Sequence, residues 1–174
     1  MADSVAPASL NIGFLTVLQE PSGYLGGYLV TNSWGRPLEF RLSTAVQPNR
    51  VQQILYGNTL HSYICADLIG KTLWDKTSTP VQLVITDREA VLDLRLRIDI
   101  PVVCLVGRTE PAKVIQEADA SKEPWRCHPQ FPQDRPSWRN ILQRLPDAVD
   151  LAEPFERICE AIGEARKMGV TSRN

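Results

Sequence analysis

Two short apolar runs, at residues 81–85 and 100–106, constrain the fold more than any other feature of this chain. Each run is continuous, which is typical of a strand that is buried on both faces. A segment that begins at Asp87 joins them. If that segment is a helix, the two strands form a strand–helix–strand unit; if it is a strand, the unit becomes an antiparallel hairpin.

The joining segment, residues 87–99, carries signals for both structures. From Leu92 to Ile100, leucine and isoleucine alternate with charged residues at a period of two, as they do in a strand. In favour of a helix, Asp87 and Glu89 suit a helix start, and leucine and arginine favour helices over strands. We therefore predict a short helix, with a strand as the alternative.

Three strands are predicted before this unit and form an antiparallel meander, at residues 10–19, 24–31 and 36–45. Gly35 occupies the second turn, where glycine accepts a positive φ. Gly26 and Gly27 interrupt the second strand and indicate a bulge or the close approach of another backbone. The third strand alternates apolar Leu38 and Phe40 with polar residues, so we expect one of its faces to meet solvent.

Two helices are predicted between the meander and the central unit. Asn49 caps a short helix that runs to Tyr56, and Gly57 ends it. The second helix, residues 60–74, has apolar side chains around most of its circumference. Such a helix is buried or covered on several sides, so we expect it to lie on the sheet beneath another element or a partner chain.

The part of the chain after the central unit is predicted to cover the sheet. The fifth strand is expected at residues 102–106, a short sixth strand at 112–115, a Pro-rich loop at 117–136, and helices from Ser137 and from Pro154. The fold class is therefore α/β (or α+β), with a central βαβ unit in a mixed sheet. We expect a single domain over 1–174: a flexible N-terminus at 1–9, sheet and helices at 10–116, the loop, and a helical pair at 137–168.

Composition and charge exclude several classes of protein. The 174 residues carry a net charge of −1, without the basic excess of most nucleic-acid binders. No run approaches the roughly 20 apolar residues that span a bilayer, and the first ten residues lack the features of a signal peptide. The four cysteines are far apart and form no CxxC pair. These features predict a cytoplasmic protein with free thiols, with no membrane partner and with nucleic acid disfavoured.

One candidate ligand site lies where the two central strands end. In a parallel sheet, ligands bind outside the carboxyl ends of the strands. Asp87 follows the first central strand, and Arg108 and Thr109 follow the second. Together they could bind a metal–phosphate or a charged small molecule. The competing interpretation is structural: Asp87 caps the helix, and Arg108 pairs with a neighbouring carboxylate. No Gly-rich phosphate loop accompanies these residues.

The sequence evidence for a metal site, a catalytic cysteine or a DNA-binding motif is weak. His61 and Cys65 lie one turn apart on a helix, and Cys127 and His128 are adjacent, but the spacings of zinc sites are absent. Nothing local marks Cys65 or Cys127 as an activated nucleophile. A helix–turn–helix over residues 49–74 has an unsuitably apolar second helix. We predict no catalytic residue, no metal and no cofactor.

Four large aromatic residues fall in predicted loops or beside them: Trp34, Trp125, Phe131 and Trp138. Exposed aromatic side chains often anchor protein interfaces. The alternative is that the Pro-rich loop folds back and its aromatic side chains complete the core. The sequence leaves both possibilities open.

These features favour a non-catalytic protein–protein interaction module, a subunit of a larger intracellular assembly. The expected partner is another protein or a second copy of the chain. The first alternative is a small enzyme or ligand-binding domain that uses the strand edge at Asp87 and Arg108. The second is a nucleic-acid-binding accessory protein.

Overall fold

The computed structural model describes residues 9–106 and 124–169. The strands in this part of the chain are β1 Asn11–Glu20, β2 Gly23–Asn32, β3 Pro37–Leu42, β4 Leu83–Thr86, β5 Val102–Leu105 and β6 Trp125–Cys127. They form one mixed sheet in the order β3–β2–β1–β4–β5–β6. The predicted α/β class, with an N-terminal meander and helices around a mixed sheet, is confirmed.

The central unit is parallel, as the helical interpretation of the joining segment requires. β4 lies parallel to both β1 and β5, while β1 pairs antiparallel with β2 and β5 pairs antiparallel with β6. Between β4 and β5 the chain forms a 3₁₀-helix, Glu89–Leu96, which we name the connecting helix. The predicted helix is confirmed and the alternative strand is wrong.

The alternating pattern of residues 92–100 does not set the burial of this helix, which has three residues per turn. Val91 and Leu94, three residues apart, are both buried, whereas Leu96 is 47% exposed. The start of the helix also differs from the prediction. Arg88 occupies the cap position and no side chain caps the helix, so the expected role of Asp87 as a cap is wrong.

The first predicted helix is present as α1, Arg50–Tyr56. The Asn49 side chain accepts a hydrogen bond from the Gln52 N–H at 2.8 Å, and the Gln52 side chain accepts one from the Asn49 N–H at 3.0 Å. This reciprocal capping box satisfies two amides that the first helical turn leaves unpaired. Gly57, with φ +52°, ends the helix as predicted.

The second predicted helix runs over residues 60–76, which we name the central helix. It consists of α2 Leu60–Ser62, a π-helical segment Tyr63–Gly70 and α3 Lys71–Lys76. In the π-helical segment, residues five apart share a face, so Ile64 and Ile69 are both buried. The central helix packs on the sheet and against the connecting helix. Elements of this same chain therefore cover its apolar surface.

The sheet separates two core layers. The central and connecting helices cover one face, while α4 Arg135–Gln143 and α5 Glu153–Lys167 cover the other. Gly26 and Gly27 point to opposite faces, where a Cβ would collide with Ile69 and Ile158 respectively. The predicted close approach at these glycines is therefore confirmed, although side chains make it rather than another backbone.

The C-terminal third differs from the prediction in its details. β6 and a 3₁₀ turn, Pro132–Asp134, lie inside the segment that was predicted to be a loop, and α4 begins at Arg135 rather than after Ser137. A strand of three residues is too short for its periodicity to be recognised. The strand predicted at 112–115 lies outside the described residues. Among the described helices, none combines the length and the apolarity that crossing a membrane requires.

Candidate functional site: an apolar sheet edge beside helix α5

The edge predicted to hold a ligand has the expected backbone geometry. Thr86 of β4 pairs with Cys104 of parallel β5, so both strands end at the same side of the sheet. Asp87 is 7% exposed there, and the Arg88 guanidinium lies 3.8 Å from its carboxylate. Arg108 and Thr109 lie outside the described residues, so their approach to Asp87 stays a prediction.

The thiols near this edge are poor nucleophiles. Burial, together with the negative charges of Glu89 and Asp87, raises the pKa of the Cys104 thiol to about 12. Burial likewise raises the pKa of the Cys65 thiol to about 12. Because the thiolate is the reactive form, neither cysteine is activated at neutral pH. The Cys65 nucleophile considered from the sequence therefore gains no support.

The histidines and cysteines do not converge. His61 is exposed, whereas Cys65 is buried in the core. His128 is 5% exposed; its Nε2 lies 3.1 Å from an Asp93 carboxylate oxygen and its Nδ1 accepts the Gln130 N–H. Over residues 9–106 and 124–169, no three His, Cys, Asp or Glu side chains are grouped to hold a metal ion.

Three of the four candidate interface aromatics pack wholly or partly inside the fold. Trp138 is 2% exposed and packs in the core, with its ring 6.4 Å from that of the partly buried Trp125. The Trp138 side chain is therefore not accessible at the surface of this structure. Phe131 is also partly buried, with the Arg95 guanidinium 3.9 Å above its ring. The loop folds back here, which was the alternative interpretation of these residues.

Trp34 is different, because it is 71% exposed at the tip of the β2–β3 hairpin. The Asn32 side chain shapes this turn by accepting the N–H groups of Trp34 and Arg36, and Gly35 adopts the predicted positive φ of +82°. Trp34 lines a cleft of about 450 Å³ with the start of α5, including Arg157. The indole therefore borders a cleft while remaining open to solvent.

A second cleft lies beside β3 and shares Arg157 with the first. It has a volume of about 200 Å³ and is lined by Leu29, Pro37, Phe40, Arg157, Ile158 and Ala161. Leu38 and Phe40 of β3 are 47% and 37% exposed. Arg157 borders both clefts and donates to the Gly35 carbonyl at 2.9 Å. We name Trp34, Leu38, Phe40 and Arg157 the hairpin surface.

The exposure of Leu38 and Phe40 was not predicted, because the apolar face of a strand is expected to pack on the core. Alternation shows that a strand has an apolar face, but not whether another element covers that face. Here Leu42 packs against the core, while Leu38 and Phe40 remain accessible. Their position on an edge strand could not be recognised before the strand order was known.

The polar face of β3 is held by hydrogen bonds to another part of the chain. The Glu39 carboxylate accepts hydrogen bonds from the main-chain N–H and hydroxyl groups of Ser78 and Thr79 and from the Arg41 guanidinium. Burial acts to raise the Glu39 pKa, but these hydrogen bonds together outweigh it and lower the pKa to about 2. Glu39 therefore anchors β3 to the loop that follows the central helix.

A further apolar surface lies on α1. Val51, Ile54 and Leu55 are 63%, 64% and 77% exposed, and no residue of α1 is buried. The Asn49 cap holds the start of the helix. At its end, the ring of Tyr56 stacks on the ring of Tyr63, with the ring centroids 4.2 Å apart.

Comparisons with known proteins add little. No protein-family model and no curated protein matches the chain. Among solved structures, an endonuclease V from Bacillus subtilis aligns with 12% identity and a TM-score of 0.39 over 60% of this chain. The chain spans 47% of that structure's length.

Proposed function

We propose that this chain is a non-catalytic protein–protein interaction module, a subunit of a larger intracellular assembly, and that it binds through the hairpin surface. The observation that carries the proposal is the exposure of Trp34, Leu38 and Phe40 along one hairpin and its edge strand. Grouped apolar residues of this kind mark interaction sites more often than scattered ones do.

The surroundings of the hairpin surface also favour a protein partner. Tryptophan and arginine are the residues that most often dominate interface energetics, and Trp34 and Arg157 line the same cleft. Arg157 is held by the Glu153 carboxylate and the Gly35 carbonyl, at 3.0 and 2.9 Å. A cleft wall that is already ordered loses little conformational entropy when a partner docks against it.

A photo-crosslinking experiment in cells tests this proposal. Benzoyl-phenylalanine is placed at position 34, and at Glu164 on the exposed side of α5 as the matched control. We expect discrete protein adducts from position 34, identified by mass spectrometry, and none from position 164. Equal adducts at both positions, or none at position 34, would contradict the proposal.

The second candidate function is ligand binding at the carboxyl ends of β4 and β5. It is favoured by the burial of Asp87 where two parallel strands end, which is the usual place for a ligand in such sheets. A thermal-shift screen of nucleotides and divalent metals on the wild type and on Asp87→Ala tests it. The absence of any ligand-dependent shift in the wild type would rule it out.

A further inference from the structure

We infer that β3 pairs antiparallel with β3 of a second copy of this chain, around a two-fold axis at Phe40. The inference rests on the proposed interaction function and names its partner. It would join two sheets edge to edge, in a self-complementary contact of the kind that two-fold dimers use.

The backbone of β3 has the donors and acceptors that such pairing needs. The Ser43 N–H donates to the Gly26 carbonyl at 2.9 Å, which fixes the alternation along the strand. By that alternation, Glu39 and Arg41 direct their main-chain groups toward β2, whereas Phe40 directs its N–H and C=O toward the open edge. Leu42 shares the orientation of Phe40. At Leu38 the register with β2 shifts by one residue, so Leu38 is the extra residue of a bulge. Because the next N–H, that of Glu39, points toward β2, the Leu38 C=O faces the open edge but its N–H does not.

Nothing else in the described part of the chain occupies this edge. β3 is the terminal strand of the described sheet, and no described strand lies beside the main-chain groups that Phe40 and Leu42 direct away from β2. An unpaired row of N–H and C=O groups is a template for another strand. The features of β3 that protect such an edge, Pro37 and the bulge at Leu38, both lie at its start, so we place the pairing around Phe40.

The residues of β3 select one register. A two-fold axis at Phe40 places Phe40 opposite its own copy and Leu38 opposite Leu42 of the second copy. The two Phe40 residues can exchange both hydrogen bonds, and each Leu42 N–H can donate to the Leu38 C=O of the other copy. The intervening pair is Glu39 opposite Arg41 of the second copy, which brings opposite charges together.

Neighbouring registers are less favourable. An axis at Glu39 places two carboxylates directly opposite each other, and an axis at Arg41 places two guanidinium groups opposite each other. An axis that falls between two residues shifts the pairing by one residue. It would put the apolar face of one strand beside the polar face of the other. The pairing at Phe40 instead shields the exposed side chains of Leu38 and Phe40 in both copies.

Proline substitution tests the hydrogen bonds selectively. Phe40→Pro removes an N–H that points away from β2, so it leaves the fold intact but deletes two hydrogen bonds across the axis. Phe40→Ala is the matched control that removes the ring and keeps the amide. In sedimentation equilibrium of the full chain, we expect a concentration-dependent dimer. Phe40→Pro should weaken it on the order of ten-fold more than Phe40→Ala does.

A disulfide tests the register. Under mild oxidation, Phe40→Cys should form a covalent dimer, because residues that face each other as a hydrogen-bonded pair lie about 5.5 Å apart between Cα atoms. Thr44→Cys should form none, since its two copies would lie eight residues apart along the paired strands, roughly 27 Å. The wild type, oxidised in the same way, controls for the native cysteines.

The outcomes separate the two proposals. A monomer at all concentrations, together with position-34 adducts to a different protein, overturns the second copy as partner and leaves the interaction function standing. A dimer that Phe40→Pro does not weaken beyond Phe40→Ala, or a Thr44→Cys dimer equal to that of Phe40→Cys, overturns the pairing of β3. The absence of both a dimer and position-34 adducts overturns both proposals.

Discussion

The two edges of the described sheet differ in length, charge and exposure. The β6 edge is three residues long, and its outward Arg126 forms an exposed ion pair with Glu89 at 2.8 Å. The β3 edge is six residues long and presents Leu38 and Phe40 to solvent. A strand of three residues offers few main-chain groups to another chain, whereas a strand of six residues with two exposed apolar side chains offers more.

The two edges also differ in what stabilises them. The β6 side is stabilised by contacts between partly or fully buried side chains. Trp125 lies against Trp138, and Arg95 binds both Asp134 and the ring of Phe131. The β3 edge is held mainly on its polar face, where Glu39 anchors the loop of Ser78 and Thr79. The comparison therefore predicts that substitutions near β6 reduce stability and that those on the apolar face of β3 reduce association.

The largest expected effect is that of Trp138→Ala. Removing this buried ring should lower the free energy of unfolding by about 3–5 kcal/mol, because the space it leaves does not fully collapse. Urea denaturation measures the change. The control Trp34→Ala removes a ring that is 71% exposed and should change the same quantity by less than about 0.5 kcal/mol. Similar losses for both variants would contradict the assignment of one tryptophan to the core and the other to the surface.

Arg95→Met should have the next largest effect. The side chains of Arg95 and Asp134 are only 15% and 11% exposed, and their closest atoms are 2.7 Å apart. Methionine keeps the apolar stem over Phe131 but leaves the Asp134 carboxylate unpaired, so we expect a loss of about 3 kcal/mol in urea denaturation. The control Arg97→Met, in an exposed pair with Asp67, should cost less than about 1 kcal/mol.

Glu39→Gln should have a smaller effect that depends on pH. Because the folded pKa of Glu39, about 2, lies below its ordinary value of 4.5, the ionised carboxylate stabilises the fold above about pH 4.5. That contribution is lost as the pH falls from 4.5 toward 2. At pH 7 the variant should lose about 1–2 kcal/mol of unfolding free energy, and the difference from wild type should shrink over that acidic window.

Glu164→Gln is the control for Glu39→Gln. Glu164 pairs with Lys167, and both side chains are largely exposed. This variant should show neither the loss at pH 7 nor the change in acid. A difference between wild type and Glu39→Gln that stayed constant from pH 7 down to pH 2 would contradict the role of the ionised Glu39.

The smallest expected effect is that of Arg126→Ala at the β6 edge. Both partners of its ion pair are 57% exposed, so the free energy of unfolding should change by less than about 0.5 kcal/mol. Sedimentation should also show unchanged self-association, because the proposed contact lies at the opposite edge. A dimer weakened by Arg126→Ala as much as by Phe40→Pro would place the contact at β6 instead.

Much of the fold was predictable because it depends on neighbouring residues. The Asn49 cap, the end of α1 at Gly57 and the positive φ of Gly35 each follow from one or two side chains. The choice of a helix over residues 87–99 also rested on local signals, at Asp87 and Glu89. That choice correctly gave parallel strands, although Asp87 does not cap the helix.

The candidate site was predicted only in part. Trp34 was identified because turn residues surround it, and a turn in a hairpin is exposed almost wherever the hairpin lies. The burial of Trp138 could not be distinguished from the exposure of Trp34, since a tryptophan near a Pro-rich segment is compatible with a surface or a core position. The exposure of Leu38 and Phe40 was not predicted, because the apolar face of a strand is expected to pack on the core.

The sequence by itself determined which segments are strands and helices in the N-terminal two thirds, because periodicity and capping act over a few residues. Only the tertiary structure decided which apolar surfaces are covered. The central helix is apolar nearly all round yet is covered by the sheet and the connecting helix, whereas the shorter apolar row on β3 is not. Whether an apolar surface is covered depends on contacts between residues far apart in the chain, and local pattern does not encode the strand order that leaves β3 at an edge.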